Sequence, residues 1–329
     1  MPTKLVPAIE LHDAAYDKAV PGSGELIWES AECLAALDKK FPATPLATPA
    51  DEAVRGVADA AMASSFSYVF GARNASLAAD EVDRRAQGML DAFTSLDAAL
   101  ASHGGPFMAG PAPGIVDCVC VPMLERYRYQ MDLMQARPGY VPPLDSAAFP
   151  ALARWYAALD GLPAYTDHVA GDGYSWTAVT ASFSRQFLSP SPAQEATCAA
   201  ADAAAARMLG ELRAFDVATA ARRAAAEAAL KLARNHRAIV ADAVRADAIS
   251  QTHLPRVSDP AAVEEMLLAA AQTLLTGKLR LPDGESADGA DAALYVASRL
   301  CAPRDLGKPA AEALRGVLVR FHAAAGVEC

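Results

Sequence analysis

Paired cysteine chemistry is missing from this sequence. Its six cysteines, Cys33, Cys118, Cys120, Cys198, Cys301 and Cys329, are scattered, and no C-x-x-C is present. On one helix, Cys118 and Cys120 point to different faces. The metal expectation is therefore none, and a reducing compartment is the default. His236, His253 and His322 add no ligand spacing and are expected as surface or capping residues. Positive charge is also short. The 29 Lys and Arg face 39 Asp and Glu, a formal net charge of −10. Such a surface argues against nucleic acid and anionic membranes as partners. No apolar run is long enough to span a bilayer. No signal or transit segment precedes the first expected strand. Aromatics are scarce at 7%, while alanine dominates a 53% apolar content, which argues for a mainly α protein.

What is present begins with Glu25-Leu26-Ile27-Trp28-Glu29-Ser30. It reads as a strand turning directly into a helix over 31–41, closed by Pro42. An acid and a hydroxyl stand where that helix still has unpaired backbone N–H groups, which makes a small anion-binding site. Taken alone, an acid and a serine there are an ordinary N-cap. Upstream, residues 4–11 read as a strand in which Val6-Pro7 places a proline where a sheet rarely tolerates one.

Helical periodicity dominates the rest. The spacing predicts helices over 51–71, 80–102, 114–129 and 150–162. The third is apolar over its first three turns and is expected to be buried nearly all round. Phe107-Met108-Ala109-Gly110 is a short extended lead into it. Gly171-Asp172-Gly173-Tyr174-Ser175-Trp176 opens another segment reaching Phe187. Ser189-Pro190-Ser191-Pro192 marks the clearest boundary. Beyond it, helices are predicted over 192–212, 219–246, 261–275, 289–300 and 309–325. The alanine runs 203–206 and 224–226 read as surface helix.

Four of these elements, in order, resemble the glutathione transferases. They are Val6-Pro7, Glu29-Ser30, the segment Pro113-Gly114-Ile115-Val116-Asp117 after Phe107-Met108-Ala109-Gly110, and Phe149-Pro150-x-Leu152-x-x-Trp155-Tyr156 with Leu162-Pro163-Ala164-Tyr165. The resemblance implies a fold in three parts. Residues 1–42 are a truncated thioredoxin-like α/β remnant, 51–188 an all-helical transferase C-terminal domain, and 193–329 a further helical extension. The extension, with Gly171 to Thr180 and Ala302-Pro303-Arg304-Asp305-Leu306-Gly307, looks similar to transferase-like proteins of plants and algae. The implied compartment is the cytoplasm or a plastid.

The resemblance also implies site residues. Glutathione is the implied cosubstrate, held by Val6, Pro7, Glu29 and Ser30. Ser30 and the helix N–H groups suit its γ-glutamyl carboxylate, Glu29 suits the ammonium, and a cis Val6-Pro7 bond turns the valine backbone toward the cysteinyl unit. Tyr68 and Tyr127 are implied to line the pocket of an electrophile or apolar ligand. Asp117 is implied to be structural. The family caps its central helix with Ser or Thr and an Asp three residues on; here the cap is Gly114, so half of that capping box is expected.

Thiolate activation in the family comes from a Tyr, Ser or Cys at positions that would precede Met1. Tyr16 falls in the inter-strand loop, and Cys33, one turn into its helix, is expected to pack against the sheet. The implied chemistry is attack of the glutathione thiolate on an electrophile, or reduction of a glutathione adduct, impaired in this chain. The alternatives are a non-catalytic ligand-binding protein and a scaffold built on the transferase fold. A homodimer is also implied.

Overall fold

The computed structural model describes residues 8–12, 20, 22–69, 71, 77–187, 190–244, 257–282 and 287–325. The protein is mainly helical, with one small sheet among these residues. It divides into two compact units. The first takes residues 1–72, 78–124 and 141–158, and the second 73–77, 125–140 and 159–329.

The first unit opens on β1 (Ala8–Leu11) and β2 (Glu25–Trp28), antiparallel, with Ala8 opposite Trp28 and Leu11 opposite Glu25. The chain then enters α1 (Ser30–Lys40), α2 (Pro49–Val69) and α3 (Ala79–Ser102). The helix ends are fixed by carboxylates. Asp51 accepts from the N–H and hydroxyl of Thr48 at 2.7 and 2.8 Å, which closes the first turn of α2. α2 buries Val54, Ala58, Ala61, Ser65 and Tyr68, and α3 buries Ala86, Met89, Phe93, Leu96 and Leu100. Both sets repeat at helical spacing, so each helix turns one stripe inward and the two pack together. α4 (Ile115–Met134) and α5 (Pro150–Asp160) follow. Asp97 on α3 accepts the Ala151 and Leu152 N–H groups at 2.7 and 2.8 Å and thereby caps α5 from a neighbouring helix. Phe93 meets Phe149 edge-on, centroids 6.4 Å apart.

α4 is not buried all round, as its apolar composition led us to expect. Val116, Cys120, Val121 and Leu124 are buried, while Cys118, Val119, Pro122 and Arg126 form an exposed stripe. Pro122 sits on that stripe, inside the helix.

The second unit contains α6 (Pro163–His168), α7 (Gly173–Phe187), α8 (Pro192–Glu211), α9 (Arg222–Val244), α10 (Pro260–Thr276), α11 (Ala287–Arg299) and α12 (Lys308–Ala324). α12 is its central element, buried at Ala310, Ala311, Leu314, Arg315, Val317, Leu318 and Phe321 among others. Gly316 stands in mid-helix because a Cβ there would enter the Phe215 ring. Alanine serves the same closeness on α9, where Ala224, Ala225, Ala228 and Ala229 are buried in the core. The expectation that the 224–226 run is surface helix is therefore corrected for its first two residues: small side chains let the helices approach. His322 is corrected likewise. It is 1% exposed, with Nδ1 3.1 Å from the Ala290 carbonyl, and is neither a surface nor a capping residue. His253 and Tyr16 lie outside the described residues.

Candidate functional site

The strand-to-helix junction has an unusual backbone. Glu29 adopts φ 75° and ψ 130°, and among the described residues no other non-glycine has positive φ. For a residue with a Cβ this conformation costs about 1–3 kcal/mol and persists only where the surroundings impose it. Here β2 and α1 impose it. Trp28 ends the strand, Ser30 begins the helix, and the Glu29 carbonyl accepts the first helical bond from Cys33 at 2.9 Å. Glu29 is the N-cap residue, yet makes no side-chain capping bond. An ordinary cap is thus not what this acid provides. Glu29 and Ser30 are both exposed, at the end of an 11-residue helix whose dipole favours an anion.

Behind them Cys33 is 4% exposed, and its thiol lies 3.5 Å from the Ile27 carbonyl. Burial of this kind suits packing, not nucleophilic chemistry. Val6 and Pro7 lie outside the described residues. Tyr68 on α2 is fully buried and Tyr127 on α4 is 3% exposed. The two tyrosines belong to different units.

Asp117 organises the start of α4. Its Oδ2 accepts from Gly114 N–H at 2.8 Å, and Oδ1 from Met108 N–H at 3.0 Å and Trp155 Nε1–H at 2.6 Å. Three segments therefore meet on one carboxylate. Burial pushes this carboxyl above its ordinary range, opposed by the same three bonds. The glycine at the cap also has a reason. A Cβ on Gly114 would lie 2.8 Å from Asp51 Oδ1 and 3.2 Å from the Leu46 carbonyl. Asp51 occupies the place a capping side chain would need, and its Oδ1 takes the Val116 N–H at 3.4 Å. Sequence reading did not find Asp51; its signal was the Thr48-x-x-Asp51 spacing.

Two further buried carboxylates hold the second unit. Glu125 Oε1 accepts from Gly171 N–H at 2.8 Å and Trp176 Nε1–H at 2.6 Å, and Oε2 from the Tyr165 hydroxyl at 2.5 Å. Burial and the adjacent carboxylate push the Tyr165 phenol well above its usual value. Asp172 Oδ1 caps α7 through Ser175 N–H at 2.7 Å, while Oδ2 pairs with Arg315 of α12. Ser175 Oγ in turn accepts the Ala302 N–H at 2.9 Å. The two segments singled out in the sequence, 171–180 and 302–307, are thus joined through Ser175. Arg304 and Asp305 form an exposed local pair at 2.8 Å.

Among the described residues, no group of three His, Cys, Asp or Glu could hold a metal ion. No described helix is long and apolar enough to cross a membrane.

Residues 79–158 match the family model of the glutathione S-transferase C-terminal domain. The match covers α3, α4 and nearly all of α5, and with them the Asp117 centre; this region is similar to the C-terminal domain of glutathione S-transferases. No curated protein and no solved structure matches the chain.

Proposed function

We propose that the protein binds glutathione at the start of α1. The γ-glutamyl carboxylate would sit on the Ser30 hydroxyl and the first helical N–H groups, the ammonium against Glu29, and the cysteinyl backbone along Val6-Pro7. The observation that carries this reading is the positive φ of Glu29 at a helix start that its own side chain does not cap. Strain of this kind collects where a ligand is gripped.

Chemistry on the glutathione sulfur would be attack of the thiolate on an electrophilic carbon. The S–C bond forms, the leaving group departs with its electron pair, and the thiol proton has gone to solvent or base. That step needs a donor that favours the thiolate. Cys33, turned to the Ile27 carbonyl and buried, does not supply it. This favours a second reading, in which the protein binds glutathione or an apolar ligand without turning it over.

Calorimetric titration with glutathione and with S-methylglutathione, against wild type and Ser30→Ala, tests the site. Equal binding of both ligands, lost in the variant, supports a site that grips the peptide and not the thiol. No heat with either ligand in the folded chain overturns it. Turnover of an aryl halide by wild type would decide for the catalytic reading.

A further inference from the structure

We propose that the outward face of α9 docks a helix of another protein, one whose contact seam runs apolar, acidic, acidic, apolar. The core side of α9 is Ala224, Ala225, Ala228, Ala229 and Leu232, and it resumes at Ala243. Opposite that side, Leu230, Arg234, Arg237, Ala241 and Val244 recur at i, i+4, i+7, i+11 and i+14. The five share one face, and all are exposed. This is the spacing of a seam between two helices, and it extends about 21 Å along the axis. Between Leu232 and Ile239 the helix also leaves the core of its unit: residues 233–238 are all exposed. Where the buried stripe would continue stand Asn235 and His236, and both turn back on their own helix. Asn235 Nδ2 donates to the Lys231 carbonyl at 3.0 Å, and His236 Nδ1 lies 2.9 Å from the Ala233 carbonyl. The two central arginines are therefore reachable from either flank.

The charge of this face selects its partner. α9 carries two acids, and both are engaged elsewhere. Glu227 accepts the Gly307 N–H at 3.0 Å, and Asp242 pairs with Arg299 at 3.4 Å and accepts the Tyr295 hydroxyl at 3.1 Å. Arg185, Arg299, Arg304 and Arg315 of the same unit each hold an aspartate. Among the described residues no carboxylate pairs with Arg234 or Arg237, nor with Lys231 beside them. In a chain of net charge −10, two arginines one turn apart thus repel each other without relief. Carboxylates on a facing helix would relieve them, since a guanidinium fork takes a carboxylate through two hydrogen bonds. Leu230 at one end of the seam, with Ala241 and Val244 at the other, asks for apolar residues on either side of those acids. A second copy of α9 does not fit, because arginine would meet arginine in either orientation. A helix lying on lipid needs a broad apolar face, and that of α9 is already buried in the core of its unit. A long nucleic acid would meet the repulsion of the whole acidic chain.

Fluorescence anisotropy on the full chain tests this, with a dye-labelled helical peptide whose seam reads Leu, Glu, Glu, Leu. Wild type is expected to bind it, and to bind a scrambled peptide of the same composition at least about tenfold more weakly. Arg234→Glu with Arg237→Glu is expected to weaken binding of the acidic peptide at least about tenfold. The same variant is expected to bind a peptide with lysines in place of the two seam glutamates, which a merely structural role would not produce. Both positions are exposed, and circular dichroism checks that the variant folds. No binding of the acidic peptide by wild type overturns the proposal. So does equal binding of the scrambled peptide, or a variant that keeps the acidic peptide or ignores the lysine one. Tighter adsorption of wild type to phosphatidylserine vesicles or to duplex DNA than to the peptide overturns it as well.

Discussion

Arg315 and Asp172, 143 residues apart in sequence, form an ion pair with Nη1 to Oδ2 of 2.8 Å and side chains only 2% and 5% exposed. The remaining donors are largely used. Nη2 reaches the Leu300 carbonyl at 3.0 Å and Ser175 Oγ at 3.3 Å, and the guanidinium lies 4.4 Å from the Tyr174 ring centroid. Arginine suits this place because its planar fork serves a carboxylate, a carbonyl and a ring face at once. Breaking such a pair from one side leaves a buried charge without its partner. Arg315→Met is expected to cost about 3–5 kcal/mol in denaturant unfolding. Adding Asp172→Asn should recover part of this, because the amide keeps the Ser175 cap and carries no charge. A double-mutant cycle measures the coupling.

Asp117 is a second buried carboxylate, with a different lesson. Asp117→Asn turns an NH₂ toward one set of its three donors, at an expected cost of about 2 kcal/mol at neutral pH. The acid's pKa is higher folded than its ordinary 3.8, chiefly from burial. The folded state therefore holds this proton more tightly, and the Asp117 contribution falls as pH rises from the unfolded value through the folded one. The variant lacks that titration. Its deficit should thus be smallest at neutral pH and widen toward acid, as urea unfolding of both proteins at a series of pH values will read.

Glu125 accepts from a phenol, an indole and a backbone amide. Glu125→Gln can keep Oε1 for Gly171 and Trp176 while its NH₂ turns to the Tyr165 oxygen, which can accept. The expected loss is about 1–2 kcal/mol, against about 3 kcal/mol or more for Glu125→Leu. Trp176, with the Arg126 guanidinium 4.9 Å from its ring centroid, reports the change in fluorescence.

At Glu29, stability and binding are expected to move in opposite directions. Glycine adopts φ 75° without strain, though it gains more freedom on unfolding. Glu29→Gly should therefore stabilise the protein by about 1 kcal/mol in thermal or chemical unfolding. It should also weaken glutathione binding by calorimetry, because the acid opposite the ammonium is gone.

Thiol reactivity should follow burial. Cys120 is 1% exposed, and burial pushes its thiol up to about 12. Cys118, two residues away, is exposed. Site-resolved mass spectrometry after alkylation should show Cys118 modified well ahead of Cys120 and of buried Cys198, and the latter two only on unfolding.

Periodicity carried most of the helical architecture, and α3 shows why. Met89, Phe93, Leu96 and Leu100 are spaced for one face, and that face is the buried one. Where side chains are small the signal fails, because an alanine at a close helix crossing and an alanine in solvent read alike; Ala224 and Ala225 lie in the core. Polar residues fail for another reason. Arg315 lies within an ordinary amphipathic pattern, and its partner caps another helix 143 residues away, so no local spacing announces the pair. His322 is hidden the same way. At the candidate site, Glu29-Ser30 was visible as a motif, but the positive φ was not. Nothing in a Glu at that position signals it, since the conformation is imposed by the strand and the helix it joins.

α4 has one more consequence. The helix is continuous from Ile115 to Met134, while the boundary between the two compact units falls inside it, after Leu124. A genetic exchange at that boundary would cut the helix in mid-turn and strand four carbonyls on the first piece and four amides on the second. Shuffling the units as exons or as expression fragments is thereby disfavoured.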